Sequence, residues 1–225
     1  MATVAKIKEI FESIQGEGPF VGVNQLFIRF CGCNLNCDYC DTDFGGNNAK
    51  SYTAKDLAQK IKNEYVLKNI HSISLTGGEP LLHADFINEF VTFLPNVKIY
   101  LETNATLSKE LLKVKNKIDI ISADIKLPSA TGKDTFDLHD WFLSNCDGIY
   151  TFAKIVFDKM ITDDEIHTCA LLGKKYGIEL ILQPKMNENK MSVDNEFCQK
   201  IFNNFFELYP NVRLIPQVHK FLNIR

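Results

Sequence analysis

Short apolar runs alternate with amphipathic stretches along this chain from residue 25 to near its last residues, and that alternation restricts it to a parallel α/β fold. Strands are predicted at residues 25–30, 71–75, 97–101, 118–123, 178–182 and 212–216, with another inside 148–157. Helices are predicted at 54–64, 84–93, 108–114 (capped by its own serine), 136–144, 162–176 (ended by Gly177) and 193–208. The strands read as near-continuous Ile/Val/Leu runs, the pattern of a sheet covered by helices. Residues 43–51 and 128–134 are turn-rich and read as loops. Right-handed βα connections of this length build either an open doubly wound sheet or a curved, incomplete (β/α) barrel. A length of 225 residues suits one domain, residues 1–225.

Polar clusters follow the strands at their C-terminal ends: CGCNLNCDYCDT, TGGEP, ETN, ADIK, QPK and QVHK. Parallel α/β folds place chemistry at that edge, so these clusters are expected to converge on one cavity. The formal charge of −3 gives no footprint for a nucleic-acid backbone. No apolar run is long enough to span a membrane, and residues 1–9 lack the core of a secretory signal. A cytoplasmic location is expected. Of the 25 basic residues only Arg29, Arg213 and Arg225 are arginines, so each is a candidate fork for a carboxylate.

Four of the seven cysteines, Cys31, Cys33, Cys37 and Cys40, fall within ten residues of one another. In a cytoplasmic chain such a cluster points to metal or redox chemistry rather than structural disulfides. Cys33, Cys37 and Cys40 form C-x3-C-x2-C, a set of thiolates able to hold an iron–sulfur cubane with one iron left open. The alternative is a structural zinc module with Cys31 as fourth ligand. Cys146, Cys169 and Cys198 stand among apolar neighbours and read as small buried hydrophobes. His71, His83, His139 and His167 show no ligand spacing and read as surface or core residues, and His219 as a residue that shapes a pocket.

The cysteine spacing, Tyr39 before its last member, and Gly77-Gly78-Glu79-Pro80 after the following strand together resemble the radical S-adenosylmethionine (SAM) superfamily. The resemblance implies a 4Fe–4S cluster on Cys33, Cys37 and Cys40 whose electron cleaves SAM to a 5′-deoxyadenosyl radical, which abstracts a substrate hydrogen. It narrows further. Residues 13–18 (SIQGEG), Arg29, Cys40-Asp41-Thr42, Glu102-Thr103-Asn104 and residues 219–225 (HKFLNIR) resemble the 7-carboxy-7-deazaguanine synthases, from about residue 6 to the last residue. That likeness implies an incomplete (β/α) barrel whose C-terminal tail closes the active site. It also implies a lyase that turns 6-carboxy-5,6,7,8-tetrahydropterin into 7-carboxy-7-deazaguanine with loss of ammonia, in queuosine-type deazapurine biosynthesis.

Carried over residue by residue, the resemblance gives Ile14, Gln15, Gly16, Glu17, Arg29, Thr76 and Arg225 to the substrate. It gives Tyr39, Gly77, Gly78, Glu79, Glu102, Asp124, Ile125, Lys126, Gln183, Pro184, Lys185 and Met186 to the cofactor, and the Thr42 hydroxyl to Mg²⁺. Asp124-Ile125-Lys126 stands where relatives carry Ser-Pro-Lys, and Arg225 where some carry proline, so only the lysine and a main-chain contact transfer directly. A flavodoxin or ferredoxin reductant and a homodimer are implied by the same route. The other enzyme class with this cluster, the glycyl-radical activases, often adds further cysteine motifs, which are absent here.

Overall fold

The computed structural model describes residues 2–37 and 47–224. In chain order it shows β1 (Val4–Ile14), β2 (Asn24–Phe30), β3 (Lys50–Thr53), α1 (Ala54–Glu64), β4 (Ser72–Gly77), α2 (Ala84–Thr92), β5 (Ile99–Thr103), α3 (Ser108–Val114) and β6 (Ile120–Ile125). Then follow α4 (Pro128–Thr131), α5 (Phe136–Leu143), β7 (Tyr150–Phe157), α6 (Asp163–Tyr176), β8 (Glu179–Pro184), β9 (Met186–Asn187), β10 (Lys190–Met191), α7 (Asn195–Leu208), β11 (Val212–Leu214) and α8 (Val218–Leu222).

Among the described residues one sheet runs in the order β11-β8-β7-β6-β5-β4-β2-β1-β3. In that order the strands from β2 to β11 pair in parallel, β1 and β3 extend the sheet with antiparallel pairs, and β9 and β10 form a separate antiparallel pair. The two ends, β3 and β11, are not paired to each other, so the barrel is incomplete. No described helix is long and apolar enough to cross a membrane.

Each parallel strand alternates between two environments. Leu26, Ile28, Ile73, Leu75, Leu101, Ile121, Ile155 and Leu182 face the helices and form the main core. Their neighbours face the barrel interior, where a smaller plug of Tyr100, Ile120, Phe152 and Ile181 closes the floor against Phe20. The strands are therefore not continuous apolar runs. Their interior faces turn polar toward the C-terminal ends, through Thr76, Glu102, Asp124, Lys154 and Gln183.

The helices sit where their end signals place them. Thr162 and Glu165 form a reciprocal capping box on α6, and Asp194 accepts from Phe197 N–H to start α7. Ser108 is not a cap. It is already helical, and its hydroxyl donates to the Trp141 carbonyl, tying α3 to α5. Residues 128–131 form a helical turn rather than a loop. The Cys146, Cys169 and Cys198 thiols are buried, and burial pushes Cys146 up to about 12.

Candidate active site

A cavity of about 720 Å³ opens at the C-terminal ends of the parallel strands. Ile14, Gln15, Gly16 and Glu17 reach it from the end of β1, Arg29 from β2, Thr76 and Gly77 from β4 and Glu102 from β5. Asp124 of β6, Lys126, Gln183 of β8, Lys185 and Met186 line it from the far strands, with Gly78, Cys33 and Cys37. Only a sheet that wraps around could bring strands so distant in sequence to one space. Tyr39, Cys40, Thr42 and Arg225 lie outside the described residues.

The segment after β1 is held by main-chain bonds, Gln15 N–H to Val23 O and Gly22 N–H to Gln15 O, and by side chains. The Gln15 amide donates to Gln25 Oε1 and Glu102 Oε1, both at 2.9 Å, and its oxygen accepts from Glu17 N–H at 3.0 Å. Glu102 also accepts from Ser74 at 3.2 Å and Thr76 at 2.7 Å. Its carboxylate is thereby locked inside the barrel with acceptor capacity left for a ligand. Arg29 faces the same space, with Nε 3.5 Å from Glu9 Oε2 and its guanidinium 5.7 Å from the Phe11 ring, which stacks on Phe27.

Beneath Cys33 the turns after β4 and β5 are stitched to the cysteine loop. Gly78 N–H donates to Phe30 O and Glu79 N–H to Gly32 O. Asn104 Nδ2 donates to Asn34 Oδ1 at 2.8 Å and approaches Cys33 Sγ at 3.9 Å, and Leu35 N–H lies 3.5 Å from the same sulfur. Such N–H···S contacts orient and tune a thiolate ligand. Glu79 lies behind this wall instead of on it. Fully buried, it accepts from Leu81 N–H, Thr103 Oγ1 and Asn104 N–H, so its carboxyl braces the turn from within. Ile125 likewise belongs to the helix-facing core, because successive strand residues face opposite ways, and Pro184, the last residue of β8, is buried without lining the cavity.

Sequence reasoning missed Lys154, whose ammonium pairs with Glu17 and lies 3.4 Å from Asp124 Oδ2. Its signal was a single charge inside the otherwise apolar strand β7. Burial would raise the Glu17 carboxyl, but the Lys154 charge, hydrogen bonds from Gln217 and Lys154, and His219 hold it down at about 2. Burial opposes the Lys154 charge in turn, yet Glu17, Asp124 and Glu102 keep it well above the usual lysine value. The tail after β11 completes this corner. Gln217 donates to Glu17 at 2.6 Å, Val218 N–H to Gly16 O, and His219 packs so closely that a Cβ on Gly16 would fall 2.3 Å from its ring.

His139 is a core residue with a task. Its Nδ1 donates to the Ala105 carbonyl at 3.1 Å, which leaves Nε2 to accept from Lys126 N–H at 3.1 Å, so the ring is neutral. Burial pushes it down to about 4. The unfolded chain binds a proton that the fold refuses, so this contribution is full above about 6.5 and is lost as pH falls toward 4. Glu79 titrates in the opposite sense: burial lifts it to about 7, and its contribution declines as pH rises from 4.5 through that value. Comparing His139→Gln with the unaltered chain cancels Glu79. In urea unfolding, the stability gap between the two is expected to shrink by about 3 kcal/mol from pH 7 to pH 4. A constant gap would mean that the buried ring carries a charge.

The donor set suits a radical SAM cofactor pair. Two thiols face the cavity, and Asp124 Oδ1 and Gln183 Oε1 are buried at its wall without a hydrogen-bond partner, as acceptors awaiting polar hydrogens would be. Among the described residues Cys31, Cys33 and Cys37 do not form a three-ligand metal group, and Cys31 does not line the cavity.

Comparison with known proteins follows the same line. The profile of the radical SAM superfamily matches residues 27–156. A 7-carboxy-7-deazaguanine synthase of Archaeoglobus fulgidus is 37% identical over 98% of this chain and 99% of its own length. Its namesakes in Geobacter sulfurreducens and Clostridium acetobutylicum are 34% and 39% identical, covering 97% and 77% of this chain and 97% and 79% of their own. The crystal structure of QueE from Escherichia coli superposes with a TM-score of 0.67 at 20% identity, over 96% of this chain and 95% of that one. A radical SAM methyltransferase from Sphaerobacter thermophilus gives 0.62 at 10% identity, over 92% and 77%. At those identities the two structures speak for the fold alone.

Proposed function

The chain belongs to the 7-carboxy-7-deazaguanine synthase family of radical SAM enzymes, and on that premise we propose that it converts 6-carboxy-5,6,7,8-tetrahydropterin to 7-carboxy-7-deazaguanine with loss of ammonia. One observation carries the reading. The cavity that holds Cys33 and Cys37 also holds an arginine fork and, among its carboxylates, Glu17 and Glu102, suited to a flat heterocycle bearing its own carboxylate.

In this reading Cys33, Cys37 and Cys40 hold a 4Fe–4S cluster. Bound with SAM, that cluster supplies the 5′-deoxyadenosyl radical that takes a hydrogen atom from the substrate. The protein's own part is positional. Arg29 grips the substrate carboxylate bidentately. The Gln15 side chain is saturated by internal bonds, so the edge of the heterocycle is read by the main chain of residues 14–17, the Glu17 carboxylate and Glu102, which the resemblance gave to the cofactor but which its bonds to Gln15 and Thr76 set on the substrate side. Asp124 and Gln183 offer their unpartnered oxygens to SAM. Phe11, Phe27 and Val156 keep water from the radical. Thr42 is assigned to Mg²⁺, a hard ion that keeps open positions for a substrate carboxylate and water. The reading treats residues 1–225 as one domain acting in the cytoplasm as a homodimer, with flavodoxin or ferredoxin as reductant.

The test is an anaerobic assay of reconstituted enzyme with the carboxypterin, SAM, Mg²⁺ and a reductant, read by mass for the deazaguanine acid. SAM cleavage without that product would refute the substrate. Arg29→Ala is expected to raise the KM for the pterin ~30-fold or more while moving the SAM constant less than ~3-fold, since a charged fork is lost on one ligand only. Equal losses on both ligands would remove Arg29 from its role.

A further inference from the structure

We infer that Lys154 is a positioning residue of the pterin site: set between Glu17 and Asp124, its ammonium anchors the Glu17 carboxylate to the barrel in the orientation that reads the heterocycle. The inference rests on the function proposed above, and its basis is how Glu17 is held. Glu17 lies three residues beyond the end of β1 and has no strand partner of its own. Its carboxylate is gripped on both oxygens, Oε1 by Gln217 of the tail and Oε2 by Lys154. Of these two partners only Lys154 stands on a strand of the sheet, directly across from Asp124 in the β6–β7 register. Gln217 lies beyond the last strand, whereas Lys154 is set within the hydrogen-bonded sheet.

The cation is also too costly to be incidental. A lysine ammonium with a side chain only 12% exposed is tolerated when paired, and Lys154 reaches two carboxylates. Its two partners face different ligands in the proposed reading, Glu17 the pterin and Asp124 the cofactor. Their dependence on Lys154 is unequal. Asp124 Oδ2 keeps a closer cation in Lys126 at 2.8 Å, against 3.4 Å to Lys154. Among the described residues Glu17 keeps the neutral amide of Gln217 and the more distant His219. Removing the Lys154 charge should therefore fall on pterin binding and spare SAM.

The experiment measures dissociation constants of the carboxypterin and of SAM, separately, on anaerobically reconstituted enzyme by calorimetry. Lys154→Gln is expected to weaken the pterin ~30-fold and SAM less than ~3-fold. Lys154→Arg, which keeps the charge, should recover most of the pterin affinity. If Lys154 acts through Glu17, the double variant Glu17→Gln/Lys154→Gln binds the pterin no worse than Glu17→Gln alone. That comparison carries the test even if Lys154→Gln does not fold, because the double variant leaves Glu17 and Lys154 neutral together. Additive losses, or a SAM loss equal to the pterin loss, would overturn the inference while leaving the proposed function standing. Failure of the unaltered enzyme to bind the pterin at all would bring down both.

Discussion

Cys37→Ala is expected to yield a folded protein that stays colourless after anaerobic reconstitution and cleaves SAM at least ~10³-fold more slowly, about 4 kcal/mol of lost catalysis. Cys37 is partly exposed at the cavity wall, so trimming its thiol removes little from the core and the melting temperature should barely move. The functional loss is of another order, because a cubane held by three thiolates has no spare ligand and the radical chemistry belongs to the cofactor. Cys31→Ala is the informative companion. Cys31 is buried, does not line the cavity, and donates its N–H to Lys6 O at the end of β2. Its alanine variant should keep both iron and turnover at a cost of about 1 kcal/mol in stability. A zinc module using Cys31 as fourth ligand predicts the reverse, with metal lost from both variants and no colour in either. Iron content and visible absorbance of the two proteins decide the matter.

The parts of this site legible in the sequence were those whose chemistry is local. The cysteine spacing and the TGGEP turn announce themselves because their geometry needs those residue types within a few positions. The strand pattern misled in one respect, and the structure gives the reason. Toward the N-terminal ends of the strands the interior face is itself apolar, with Tyr100, Ile120, Phe152 and Ile181 plugging the floor. The inner and outer rows then merge into what reads as continuous Ile/Val/Leu runs, and only the last residues of each strand disclose the polar interior. Strand β1 went unread because Lys6, Lys8, Glu9 and Glu12 break its pattern, and its partly exposed position at the side of the sheet permits this. The joining of Lys154 and Gln217 to Glu17 was not legible, although Gln217 opens the QVHK cluster and Lys154 is the lone charge of β7. Their function is a contact with Glu17 across 137 and 200 residues of chain, and no local pattern encodes such a pairing. Glu79 shows the converse. A motif residue assigned to a ligand proves to hold the turn that presents its neighbours.

Gly77→Ala is expected to be the most damaging single methyl that can be added at this site. Gly77 has φ +121°, which an L side chain rarely adopts, and an added Cβ would lie 2.3 Å from Phe30 O and 2.5 Å from Phe30 N. Those are main-chain atoms of the paired strand β2, and they cannot turn aside as a flexible side chain would. Phe30 is also held in place, paired with Gly77 in the β2–β4 register and accepting from Gly78 N–H at 3.2 Å. Backbone strain and the clash together should cost about 4 kcal/mol, a large share of the ~5–15 kcal/mol that holds a domain folded. For a chain of this size that corresponds to a fall of roughly 8–16 °C in Tm. Gly132→Ala is the control, since Gly132 also has positive φ, +68°, but an added Cβ meets nothing within 4 Å. It should lose only about 1 kcal/mol. Melting both variants without metal or SAM separates the fold from the chemistry, and the cofactor follows as a second readout. Displacing Phe30 also displaces the Cys31–Gly32 link that leads to Cys33, so whatever Gly77→Ala protein folds should take up iron poorly, while Gly132→Ala loads normally. Equal melting temperatures for the two would mean that β2 and β4 do not approach as closely as their pairing requires, and the wall carrying both Arg29 and the cysteine loop would have to be redrawn.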